Sequence, residues 1–126
     1  MKTLIRGKIV DFVPFFNGYL SGEGVLAIGE KGDFPLTVDT GFSGGIALPE
    51  EILEKMGIEF IGYEAFSLAT GDIVELPMYL GKVIIGKDEI KTWFIPGDLL
   101  LGMEFLSSRW SVLSLNFEDG TVTLTK

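Results

Sequence analysis

A lone aspartate stands where an apolar run stops. Leu36-Thr37-Val38 leads into Asp39, and Thr40, Gly41, Phe42, Ser43, Gly44 and Gly45 follow at once. A carboxylate followed by hydroxyls and glycines conflicts with the strand before it, and such local conflicts mark functional positions. The 126 residues include no Cys and no His. Thiol nucleophiles, Cys-type zinc sites and Ser-His or Cys-His catalysis are therefore excluded. What remains is chemistry run by carboxylates. Two carboxyl groups about 3 Å apart cannot both ionise, so they share one proton; the ionised partner draws a proton from water while the other donates to a carbonyl oxygen. Such a pair hydrolyses an amide without His, Cys or metal, with activity shifted to acid. To build it, an aspartate must leave the end of an apolar strand, with hydroxyl and backbone N–H groups around its oxygens and glycine in the turn. Val38-Asp39-Thr40-Gly41 supplies each of these.

Three other patterns imitate chemistry and are set aside. Gly41-Phe42-Ser43-Gly44-Gly45 matches the nucleophile elbow G-x-S-x-G, but Ser43 has no histidine partner anywhere in the chain. Gly81 to Lys87 nearly matches a phosphate-binding loop, yet Asp88 stands where Ser or Thr would hold magnesium, and Val83-Ile84-Ile85 reads as strand. Gly22-Glu23-Gly24 imitates a dinucleotide fingerprint, but a strand rather than a helix follows it.

The elements that must position Asp39 are mostly strands. Seventeen glycines punctuate short runs of Val, Ile, Leu, Phe and Thr, the pattern of a β protein with many turns. Strands are predicted at Leu4–Val13, Gly24–Ile28, Phe34–Val38, Ala65–Leu68, Ile73–Leu80, Lys82–Ile85, Ile90–Phe94, Ser111–Asn116 and Thr121–Thr125. Two short helices are predicted, Pro49–Met56 with Gly57 as its stop and Met103–Ser108. Thr70-Gly71-Asp72 and Asp119-Gly120 read as hairpin tips. No composition break suggests a linker and no repeat is visible, so the chain reads as one domain, all-β apart from the two helices. The net charge of −8, with scattered Lys and Arg, argues against nucleic-acid binding. No apolar run approaches the roughly 18 residues of a membrane span, and no signal peptide is recognisable, so a cytoplasmic protein without a membrane partner is expected.

The run Asp39-Thr40-Gly41-Phe42-Ser43-Gly44, the following Ile46-Ala47-Leu48-Pro49 segment and the Thr70-Gly71 hairpin together resemble the retropepsin-like (clan AA) aspartic proteases, in the branch whose signature reads Asp-Thr-Gly-Phe. Leu99-Leu100-Leu101-Gly102 before Met103–Leu106 is similar to the family's apolar-apolar-glycine segment, and Ser111 to Leu124 resembles its closing strands. The match runs in order from about Phe34 to the end. The resemblance implies a single-lobe acid-protease barrel that acts as a homodimer without a cofactor. It implies Asp39 as the catalytic carboxylate, Thr40 as the hydroxyl bracing the paired turn, and Gly41 as an N–H holding the carboxylates. Ala69, Thr70, Gly71 and Asp72 become a flap over a polypeptide substrate. No second Asp-Thr-Gly or Asp-Ser-Gly occurs, so the partner carboxylate must come from another copy of the chain. The chain ends, Met1–Val10 and Thr121–Lys126, are the implied interface. Phe42 departs from the small residue usual there; its ring could narrow the cleft or pack inward, and inward packing is expected. The rival reading is a protease-fold scaffold domain without turnover.

Overall fold

Alternation of buried and exposed side chains builds this molecule strand by strand. The computed structural model describes residues 4–126. Its elements run β1 (Leu4–Val10), β2 (Val13–Gly22), β3 (Val25–Gly29), β4 (Phe34–Val38), β5 (Ile46–Leu48), α1 (Glu50–Met56), β6 (Glu59–Ser67) and β7 (Ile73–Ile85). They continue with β8 (Asp88–Pro96), β9 (Leu100–Leu101), α2 (Met103–Leu106), β10 (Val112–Asn116) and β11 (Thr121–Thr125). The fold is thus mainly β with two short helices, as the sequence implies.

Seven strands close into a barrel in the order β2-β3-β7-β8-β5-β9-β4, sealed where Phe15–Gly18 of β2 pairs antiparallel with Phe34–Thr37 of β4. Beyond β2 the sheet continues outward through β1, β11 and β10, while among the described residues β6 pairs with β7 alone. The second half of β7 has the two-residue period of a strand packed on one face: Gly81, Val83 and Ile85 are buried while Lys82 and Ile84 are exposed. Phe16, Leu26, Leu36, Val83, Phe94 and Leu101 are fully buried in the resulting core. Leu53 and Met56 of α1 join this core, and the helix ends at Gly57, whose φ of 66° lets its N–H reach the Glu54 carbonyl.

Several boundaries differ from the sequence reading, each for a local reason. The run Leu4–Val13 is divided by a two-residue turn at Asp11 and Phe12, both left-handed (φ 51° and 68°), so Val10 pairs with Val13 and the unanticipated β2 begins there. Ile73–Leu80 and Lys82–Ile85 are one strand. Gly81 does not interrupt it; a Cβ there would stand 2.8 Å from the Phe94 ring, so the missing side chain makes room for that core residue. β6 reaches back to Glu59 through an irregularity between Phe60 and Gly62. No helix among the described residues is long and apolar enough to cross a membrane.

Candidate active site

Asp39 leaves β4 at one end of the barrel and the chain returns as β5. Between these two strands lies β9, parallel to β4 through Thr37↔Leu100 and Val38↔Leu101, and antiparallel to β5 through Ile46↔Leu101. The loop joining β4 to β5 therefore passes over the end of β9. Asp39 N–H donates to the Leu101 carbonyl at 3.0 Å, Gly102 N–H to Gly45 at 2.7 Å, Met103 N–H to Phe42 at 2.8 Å and Glu104 N–H to Gly44 at 3.1 Å. Four backbone hydrogen bonds thus clamp the aspartate loop to the segment running from β9 into α2. The Leu99–Leu106 segment thus lies beside the Asp39 turn.

Contact this close has a steric condition. A Cβ at Gly102 would overlap the Gly44 carbonyl oxygen and stand 2.8 Å from the Phe42 ring. Glycine is the residue that leaves room for the two backbones to meet. Within the loop, Gly41 N–H donates to Asp39 Oδ1 at 3.0 Å, and Phe42 N–H to the Asp39 carbonyl at 3.2 Å. Asp39 is half-buried, and Thr40 and Gly41 are exposed. The arrangement holds one carboxylate in a fixed orientation at the surface, with one oxygen on a backbone N–H. Among the described residues, no group of three or more Asp or Glu side chains could hold a metal ion.

The β6–β7 hairpin projects from the barrel. β6 is exposed along nearly its whole length, and Tyr63 and Ile73 are 68% and 73% exposed. Its tip closes on itself: Leu68 N–H donates to the Asp72 carbonyl at 2.8 Å, Gly71 N–H to Leu68 at 2.9 Å and the Thr70 hydroxyl to Asp72 Oδ2 at 3.1 Å. A cleft of about 480 Å³ separates the hairpin from the aspartate loop. Ile61 to Phe66 form its outer wall, Phe42 to Gly45 the wall next to the loop, and Trp93 and Ile95 of β8 contribute side chains. Asp39, Thr40, Gly41 and the tip residues Ala69–Asp72 do not line this cleft. Sequence reasoning singled out the tip and not β6, whose Ile61–Phe66 line the cleft; the available signal was the run Phe60-Ile61-Gly62-Tyr63.

One expectation needs correction. The Phe42 ring does not pack inward: it is half-exposed, lines the cleft and meets Phe66 with ring centroids 6.5 Å apart. Gly44 lies under the ring, with no space for a side chain. The inward direction is occupied by the clamp itself, so the ring turns toward the hairpin. The chain ends are tied into the sheet. β11 is paired on both sides, with β10 and β1, whereas β1 pairs with β11 through Leu4–Lys8 and with β2 only through Lys8–Val10. Among the described residues β10 and β6 each leave one edge without a strand partner, and Met1, Lys2 and Thr3 lie outside them.

Comparison with protein-family models, with curated proteins and with solved structures finds no match to this chain.

Proposed function

We propose that the protein is a homodimeric, retropepsin-like aspartic endopeptidase in which Asp39 of each copy contributes one carboxylate to a shared site. The observation that carries this reading is the clamped turn: Asp39 at a strand end, oriented by the Gly41 N–H and held by four hydrogen bonds to the β9–α2 segment. In the paired site one Asp39 carboxylate takes a proton from water as the oxygen attacks the peptide carbonyl carbon. The protonated partner donates to the carbonyl oxygen. Collapse of the resulting diol breaks the C–N bond, and the departing nitrogen takes up a proton. Thr40, exposed beside the turn, supplies a hydroxyl to brace the opposing loop, and Ala69–Asp72 cover the substrate from the hairpin tips.

The open edge of β10 offers a route to the dimer. Val112 and Leu115 on that strand are 49% and 43% exposed, and Val112 shares a shallow depression with Met103, whose N–H binds the aspartate loop. An isologous contact along β10 would bring this face of each copy together. One observation favours the rival reading of a binding domain without turnover: the cleft between the hairpin and the aspartate loop excludes Asp39. Digestion of a mixed peptide library across pH separates the two. The wild type is expected to cleave in acid and Asp39→Asn to be inert with its fold intact; equal hydrolysis by both would overturn the assignment.

A further inference from the structure

The cleft beside the aspartate loop carries a charge pattern that the hydrolytic reading does not use. All of its lining residues fall within three stretches of sequence that the ten Lys and Arg residues avoid. None occurs between Lys31 and Lys55, between Lys55 and Lys82, or between Lys91 and Arg109. Those stretches contain the whole lining, from Phe42–Gly45 through Ile61–Phe66 and Met78 to Trp93, Ile95 and Glu104. Two lining residues are carboxylates, Glu64 on β6 and Glu104 at the start of α2. Glu75 lies on the neighbouring strand, where its register partner Ala65 is next to Glu64. The rest of the lining is largely apolar or aromatic.

The backbone adds a second observation. Among the described residues β6 pairs with β7 alone, so its other edge has no strand partner there. Consecutive residues of both parities, Ile61 through Phe66, line the cleft; a strand presenting only one face would contribute alternate residues. An open edge binds an extended peptide through main-chain hydrogen bonds, leaving side-chain pockets to select the sequence.

We propose that this cleft binds an extended peptide along β6, selecting a large apolar side chain flanked by Lys or Arg. The apolar side chain sits among Phe42, Phe66, Trp93 and Ile95, and the cationic neighbours face Glu64 and Glu104. At about 3.3 Å per residue the wall from Ile61 to Phe66 spans about 20 Å, so the cleft holds a segment of about six residues. Binding does not require hydrolysis, so this proposal and the protease reading fail separately.

The test uses full-length protein carrying Asp39→Asn, so that bound peptide is not consumed. Fluorescence anisotropy would compare a labelled peptide with a central Phe between lysines, its isomer with glutamates in place of the lysines, and a version N-methylated at alternate amides. The lysine peptide is expected to bind roughly tenfold or more tighter than the glutamate isomer, with the advantage shrinking as salt rises from about 0.05 M to about 0.5 M. N-methylation should abolish binding. Glu64→Gln with Glu104→Gln should remove the lysine preference while leaving the thermal transition in place. Equal affinity for lysine and glutamate peptides, or an undiminished preference in the double variant, overturns the proposal. Tight lysine-dependent binding without cleavage by the wild type would instead reject the protease reading alone.

Discussion

Gly102→Ala should be among the most damaging single-methyl additions to this protein. The added carbon would overlap the Gly44 carbonyl oxygen and lie 2.8 Å from both the Gly44 carbonyl carbon and the Phe42 ring. Ordinary contact is near 3.5 Å or more, so the β9–α2 segment and the aspartate loop must separate by about 1 Å. Those segments are joined by the bonds Gly102 to Gly45 (2.7 Å) and Glu104 to Gly44 (3.1 Å), which flank the intrusion. Losing both costs about 2 kcal/mol at the usual net value per hydrogen bond, and overpacking adds about 1–3 kcal/mol. A loss of about 3–5 kcal/mol is a large part of a stability that is normally about 5–15 kcal/mol. Urea unfolding followed by far-UV circular dichroism measures it as a lower midpoint at unchanged slope. Gly29→Ala is the control, since a Cβ there meets nothing within 4 Å. A Gly102→Ala midpoint equal to that of the control would refute the claim that close backbone contact holds the loop.

The remaining predictions concern turn, cleft and assembly. Phe12→Gly should stabilise the chain by about 1 kcal/mol, because Phe12 sits at φ 68° with 96% of its surface exposed, and left-handed backbone is costly for residues with a Cβ; calorimetry should record a rise in Tm, and a fall would contradict the strain argument. Phe42→Ala should widen the cleft and change peptide preference more than it changes stability, since the ring is half-exposed; a peptide-library profile identical to wild type would count against a cleft role. Val112→Lys, on the open β10 edge, should shift sedimentation toward monomer, because an exposed edge lysine opposes strand pairing; an unchanged distribution would remove β10 from the proposed interface.

Many of the strands with one buried face were legible. Phe34–Val38 and Thr121–Thr125 were read with the boundaries the structure gives them, because their alternating or continuous apolar character is bounded by clear turn residues. Both helices were visible from Pro49, Gly57 and Gly102. β2 was missed because its start lies behind Asp11-Phe12, a left-handed turn with no glycine to announce it, and because Gly18 and Asn17 interrupt its pattern. The first part of β6 was missed because the strand is exposed on both faces and mixes Glu, Gly and aromatics, so no burial period exists to be read. Asp39 stood out from its local conflict alone. The cleft did not, since its walls come from segments far apart in sequence and brought together by barrel closure. The direction of Phe42 depended likewise on the Gly102 contact, a tertiary fact with no local signature.

The central claim is that two Asp39 side chains from two chains form one site, and subunit mixing tests it most directly. Wild-type protein and Asp39→Asn, unfolded together and refolded at constant total concentration, would be assayed on a cleavable peptide over a range of ratios. The account predicts that activity falls as the square of the wild-type fraction, since only dimers with two aspartates work. A linear fall, or activity that survives in pure Asp39→Asn, would contradict it.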